Sequence, residues 1–215
     1  MALRKLLILR RLQSSRLEGR IALGQPSSQC VGRGIGRREA IGLGLCATLA
    51  PRFASAQNEP ARERPKEGDL LVNVTTAAKP EPLKPDDLPL DGKQTLAWPM
   101  DPETKTLRNG SRLNKVLLLR LNPEGFDAET KERAAEGVVG YSAICPHPGC
   151  DVTNWHADRQ LLECPCHFSM YDPKQEANVV SGPSPRRLPA LPLKIVDGKL
   201  AVAKPFIGRP GFQQM

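Results

Sequence analysis

Two short runs constrain this chain more than anything else in it: Cys145-Pro146-His147-Pro148-Gly149-Cys150 and Cys164-Pro165-Cys166-His167-Phe168-Ser169. Each sets a cysteine and a histidine two or three residues apart, with 16 residues between His147 and Cys164. Four of the six cysteines fall within residues 145–166; the other two are Cys30 and Cys46. Clustered Cys with His between them reads as a metal site before it reads as a disulfide scaffold. Each loop supplies one sulfur and one nitrogen, so two tight turns would clasp a metal group from opposite sides. Zinc also takes two Cys and two His, but zinc fingers set like ligands together, Cys with Cys and His with His. Here each loop mixes the two types, which argues against zinc. A disulfide set alone would not require His147 and His167 at those offsets.

The rest of the chain must supply a scaffold that can hold two turns face to face. From Asp69 on, short apolar runs alternate with turn residues, the signature of an all-β domain. The pattern predicts strands over Leu70–Val74, Lys115–Leu121, Val138–Ile144, Leu191–Val196 and Lys199–Ala203. Asp197-Gly198 between the last two is a strong two-residue hairpin signal. A short helix is expected over Ala128–Glu136. The Pro- and Asp-rich stretch Thr75–Asn114 reads as a surface excursion. The charged, Pro-containing segment 57–68 reads as a flexible linker with no reason to fold. No internal repeat is visible.

The order C-x-H, 16 residues, C-x-x-H resembles the Rieske family, in which two Cys thiolates hold one iron of a [2Fe–2S] cluster and two His imidazoles the other. By position, the resemblance implies Cys145 and Cys164 on one iron and His147 and His167 on the other. It implies a disulfide between the remaining loop cysteines, Cys150 and Cys166, as in Rieske proteins of quinol-oxidising complexes. Such a bridge closes a loop of about 17 residues and is worth on the order of 3 kcal/mol in the chain-entropy model. Ser169 and Tyr171 stand where the high-potential branch has hydroxyls that donate to a cluster sulfide and a Cys sulfur. Such donors stabilise the reduced cluster and raise its potential. Gly182-Pro183-Ser184-Pro185 resembles the loop that covers the cluster's third side. The fold implied is an all-β Rieske domain over 69–215, with a small cluster-binding subdomain at about 140–186 inserted in an antiparallel β base. The function implied is one-electron transfer through the exposed His pair, coupled to a proton when a quinol hydrogen-bonds to His147 or His167.

Three settings suit such a protein. One is the iron–sulfur subunit of a quinol–cytochrome c reductase-type complex, with cytochrome b or c and quinol as partners. Another is the small subunit of an arsenite-oxidase-like enzyme, partnered by a molybdenum catalytic subunit; the third is a freestanding periplasmic electron carrier. Phe168 departs from the quinol-complex pattern, which has Gly there, and the CPCHFS form is more similar to arsenite oxidase. Ring dioxygenases are disfavoured: their Rieske domains lack the extra Cys pair, and a separate catalytic domain with a 2-His-1-carboxylate iron site is not evident. The chain therefore reads as a redox subunit rather than a complete enzyme.

The formal charge of +8 suggests nucleic acid only until it is mapped. Residues 1–56 hold ten of the 31 basic and two of the 23 acidic residues, leaving 21 of each in the remainder. A neutral body gives no support to nucleic-acid binding. The basic segment reads as an address. Arg37-Arg38 precedes a short apolar run, and Ala54-Ser55-Ala56 supplies a small-x-small cleavage pattern. The run falls short of the roughly 20 residues that span a bilayer. A twin-arginine signal exports folded proteins, which suits a cluster inserted in the cytoplasm, and implies the periplasm or the periplasmic face of the inner membrane. Residues 1–35 are long for the lead of such a signal; a start codon placed too early or a mitochondrial-type transit segment would also account for them.

Overall fold

The computed structural model describes residues 59–212, so Arg37-Arg38, Ala54-Ser55-Ala56, Cys30 and Cys46 lie outside the described residues. The strands, in chain order, are β1 (Leu70–Asn73), β2 (Thr95–Met100), β3 (Val116–Arg120), β4 (Val138–Ser142), β5 (Asn154–His156), β6 (Leu161–Glu163), β7 (Met170–Asp172), β8 (Asn178–Ser181), β9 (Leu193–Val196) and β10 (Lys199–Val202). Two short helices accompany them, α1 (Glu59–Arg62) and α2 (Ala128–Arg133). Six strands form one antiparallel sheet in the order β4-β3-β2-β1-β10-β9, and β5 to β8 form a second as a simple meander. The fold is all-β, as the sequence predicts.

β3 explains how the two sheets share a foundation. Its Val-Leu-Leu-Leu run is buried at every apolar position. Successive side chains of a strand point to opposite faces. Leu117 and Leu119 therefore enter one core with Tyr141, Leu162 and Tyr171. Val116 and Leu118 enter another with Leu71, Ala97, Leu191 and Leu200. A strand covered on both faces must be apolar without alternation. The first core also contains Cys145 and Cys164, so both metal loops rise from packed apolar ground. At the far end of the larger sheet, Asp197 and Gly198 both take positive φ (50° and 72°), the backbone of a type I′ hairpin.

Three expectations need correction. The segment 57–68 is folded from Glu59 onward. Ala61 is buried, its carbonyl accepts from Gly110 N–H, and the Glu63 carbonyl accepts from Asn114 Nδ2 at 2.6 Å. Arg108 reaches the Pro60 carbonyl and the Glu63 carboxylate. Charges that read as disorder are thus satisfied by a partner more than forty residues away. The stretch 75–114 is more than an excursion, because it contributes β2, which lies inside the larger sheet between β1 and β3. The helix expected to Glu136 stops at Arg133; Asp127 caps its start, accepting from Thr130 N–H at 2.7 Å.

Candidate metal centre

The first Cys/His loop follows β4 and the second joins β6 to β7, so each is the tip of a hairpin-like turn. Cys145 N–H donates to the Cys150 carbonyl at 2.8 Å, and Cys164 N–H to the Ser169 carbonyl at 2.9 Å. Each six-residue loop is thereby closed at its neck and held at a fixed pitch. The disulfide Cys150–Cys166 joins the two tips, with Cα atoms 6.5 Å apart. Cys145 and Cys164 are left as buried free cysteines. Across from them, the rings of His147 and His167 lie 4.7 Å apart between centroids, edge to face. His147 is half-buried and His167 exposed, so the imidazole side of the site meets solvent while the sulfur side faces the core.

These side chains fit a group with two metal positions. Burial pushes the Cys164 thiol up, and the neighbouring Cys145 adds to the rise. Two thiolates in such a place call for a cation between them. His147 Nδ1 is buried with no hydrogen-bond partner among the described residues, which leaves a ring nitrogen to a metal. Among the described residues, no three of Cys145, His147, Cys164 and His167 bring their ligand atoms within 4.8 Å of one another, as a single tetrahedral zinc requires. A close grouping does occur among Cys150, Cys164 and Cys166, but two of those sulfurs are spent in the disulfide.

Hydroxyls and backbone finish the surroundings. Tyr171, fully buried, places its OH 3.1 Å from Cys145 Sγ. Burial holds its phenol well above the ordinary range, so it stays protonated and would donate to a metal-bound Cys145 sulfur. Ser169 is also fully buried, and its Oγ accepts from Ser184 N–H at 3.1 Å. Its own proton is therefore available for the metal site. Gly182, at φ +91°, lets the Gly182-Pro183-Ser184-Pro185 loop press against the second Cys/His loop: a β-carbon there would sit 2.5 Å from Ser169 Cα and 2.9 Å from the Phe168 carbonyl oxygen. The sequence reading brings out the residue types but not the matched closure of the two loops. The equal six-residue spacing from Cys145 to Cys150 and from Cys164 to Ser169 carries that signal.

Fold and site together define a β-sheet metalloprotein that holds a dinuclear group between two tethered loops, sulfur inward and imidazole outward. Residues 114–192 match the family described as the Rieske [2Fe-2S] domain. The chain is 34% identical over 133 residues to the cytochrome bc1 complex Rieske iron-sulfur subunit of Streptomyces lividans, covering 60% of this chain and 76% of that protein. It is 38% identical over 106 residues to a putative respiratory nitrate reductase subunit Rieske of Haloferax mediterranei, covering 48% of this chain and 47% of that one. The soluble domain of Rieske protein II from Sulfolobus acidocaldarius superposes at a TM-score of 0.33 and 23% identity, over 41% of this chain and 61% of that one. The chain belongs to the Rieske [2Fe–2S] protein family. It is an electron-transfer protein and binds one [2Fe–2S] cluster.

Proposed function

We propose that this chain is the high-potential iron–sulfur subunit of a quinol–cytochrome c reductase-type complex, working at the periplasmic face of a membrane. The observation that carries this reading is the pairing of the Cys150–Cys166 bridge with two buried hydroxyls, Tyr171 at 3.1 Å from Cys145 Sγ and Ser169 at the neck of the Cys164 loop. Cys145 and Cys164 would hold one iron of the cluster and His147 and His167 the other. The cluster supplies a one-electron redox centre, and the protein decides its potential and its access. With the cluster in place Tyr171 would donate to the Cys145 sulfur, and the Ser169 hydroxyl would be free to donate to the cluster. Charge-assisted hydrogen bonds of this kind contribute roughly 1.5–3 kcal/mol, and more to the electron-rich reduced state. His167, exposed at the tip, is the point of entry and exit. The disulfide suits an oxidising compartment, in agreement with export through the twin arginine Arg37-Arg38. Among the described residues no helix is long and apolar enough to cross a membrane.

Cells lacking the chain are expected to lose quinol-dependent cytochrome c reduction in isolated membranes. The wild-type gene restores it, and Cys164→Ser does not. The same membranes should show the electron paramagnetic resonance of a mixed Cys/His cluster, with an average g below that of an all-Cys ferredoxin. Full quinol–cytochrome c activity without the chain would sink the reading. One observation favours a second setting: Phe168 and the likeness to a nitrate reductase Rieske subunit suit service to a different oxidoreductase, such as an arsenite-oxidase-like molybdenum enzyme.

The tuning hydroxyls give a sharper test. Tyr171→Phe removes one oxygen, and only the strengthening of its bond on reduction is lost, about 1 kcal/mol. With a tenfold change worth 59 mV in a one-electron couple, the potential should fall by roughly 40 mV. Ser169→Ala should act in the same direction. Redox titration of both variants checks this; unchanged potentials in both would show that the hydroxyls do not serve the cluster.

A further inference from the structure

The loop pressed against the second Cys/His turn is held from outside the metal site. Of residues 181–187, Ser184 alone is buried. It makes two hydrogen bonds that run in opposite directions. Inward, its N–H donates to Ser169 Oγ at 3.1 Å. Outward, its own hydroxyl donates to the Arg186 carbonyl at 2.9 Å. Pro183 and Pro185 flank it, so φ is pre-set on both sides. Arg186 then spends both terminal nitrogens on main-chain carbonyls, Nη1 on Arg209 at 2.8 Å and Nη2 on Gly211 at 2.7 Å. A guanidinium is a rigid planar fork, so two acceptors fix its place and its pitch together. The segment that supplies them is itself fixed. Gly211 turns at φ +80°, and a β-carbon there would lie 2.7 Å from Leu113 Cδ2 and 3.7 Å from Ile144 Cγ2. Ile144 directly precedes Cys145. Residues 209–211 therefore pack beside the root of the first metal loop, while Arg186 ties them to the loop that lies on the second.

Ser169 is where this series of contacts reaches the site. A hydroxyl is one donor and a rotor. Accepting from Ser184 N–H keeps its lone pair on that side and its proton on the other, and a hydroxyl that accepts is also a stronger donor. We infer that Arg186 is a positioning residue for the redox centre: by clamping its loop to residues 209–211 it keeps Ser184 N–H on Ser169 Oγ, so that the Ser169 proton stays aimed at the cluster. The inference rests on the reading that the Ser169 hydroxyl serves the cluster, and it holds whichever complex the chain serves.

Redox titration of the full chain with its cluster tests this in Arg186→Lys, Ser184→Ala and Ser169→Ala. Lysine keeps the positive charge, so long-range electrostatics is held constant, but one ammonium on a flexible stem does not reproduce the fork. Arg186→Lys should lower the equilibrium constant for reduction roughly twofold, or about 18 mV at 59 mV per tenfold. Ser184→Ala should act in the same direction. Added to Ser169→Ala, Arg186→Lys should change the potential no further, because the group it positions is gone. A second readout is independent of the potential: amide hydrogen exchange at position 184 should quicken in Arg186→Lys and Ser184→Ala, with exchange in β3 and β4 unchanged. A fall in Ser169→Ala with none in Arg186→Lys would overturn the inference alone. An unchanged potential in Ser169→Ala would sink the Ser169 reading and the inference with it. Equal shifts from Arg186→Lys with and without the Ser169 hydroxyl would overturn the inference by showing a route that bypasses Ser169. Exchange at position 184 that stays at the wild-type rate in Arg186→Lys would overturn it too, since something else would then hold the loop.

Discussion

Arg108→Met is expected to lower the stability of the domain by roughly 3–5 kcal/mol, the range for breaking a buried ion pair from one side. Arg108 is 2% exposed, and its fork grips Asp69 through Nε at 2.6 Å and Nη2 at 2.9 Å. Its third nitrogen donates to Glu63 at 2.7 Å and to the Pro60 carbonyl at 3.3 Å. Asp69 is itself only 2% exposed. Without the guanidinium it becomes an unpaired buried carboxylate, which is far more costly than the pair is beneficial. The segment 59–68 loses its clamp at the same stroke. At about 2–4 °C per kcal/mol for a domain of this size, the thermal midpoint should drop by roughly 10 °C. Adding Asp69→Leu should recover part of the loss, because the orphaned charge is then gone. Calorimetry on the single and double variants checks both. A midpoint within 1 or 2 °C of wild type for Arg108→Met would show that water reaches the pair and screens it. The cluster spectrum below the transition should be unchanged.

That clamp also shows where the sequence stops being legible. A bidentate pair between residues 39 positions apart leaves no local trace, so 59–68 reads as a charged linker. β2 hides for another reason. Pro99 sits within Thr95–Met100, and a proline ordinarily argues against a central strand. Here β3 pairs only with Thr95 to Ala97, so the ladder on that side ends before the missing N–H matters. On the other side Pro99 pairs with Leu71, and its carbonyl accepts from Arg108 N–H. The strands β5 to β8 are three or four residues long, too short for a period-two pattern to stand out. β3, β4 and the β9–β10 hairpin are readable because burial and turn chemistry act within a few residues. The metal loops are readable because ligand chemistry admits few residue types at fixed offsets.

The double variant Cys150→Ser/Cys166→Ser is expected to cost about 3 kcal/mol and to shorten the life of the cluster. The bridge spans 16 positions, and a loop of that length restricts the unfolded chain by roughly that amount. The midpoint should therefore fall by roughly 6–12 °C. The effect on the site is more direct. The two loops descend from different hairpins, and at their tips the disulfide is the covalent tie between them. Without it the loops can part, and the potential should drop as the buried hydroxyls of Ser169 and Tyr171 lose their fixed geometry beside the site and stabilise the reduced cluster less. The line shape should keep its mixed Cys/His character, since no ligand has changed. Single variants are a poorer test. Cys150→Ser leaves a free Cys166 whose sulfur is within 4.8 Å of Cys164, close enough for an unwanted bridge that would remove a ligand. Single variants should accordingly lose more cluster in air than the double variant, and the gap should close under anaerobic reduction. Timed loss of the visible absorbance at 37 °C, with and without oxygen, measures this. A double variant that matches wild type in both midpoint and cluster lifetime would show that the hairpin necks alone hold the loops together.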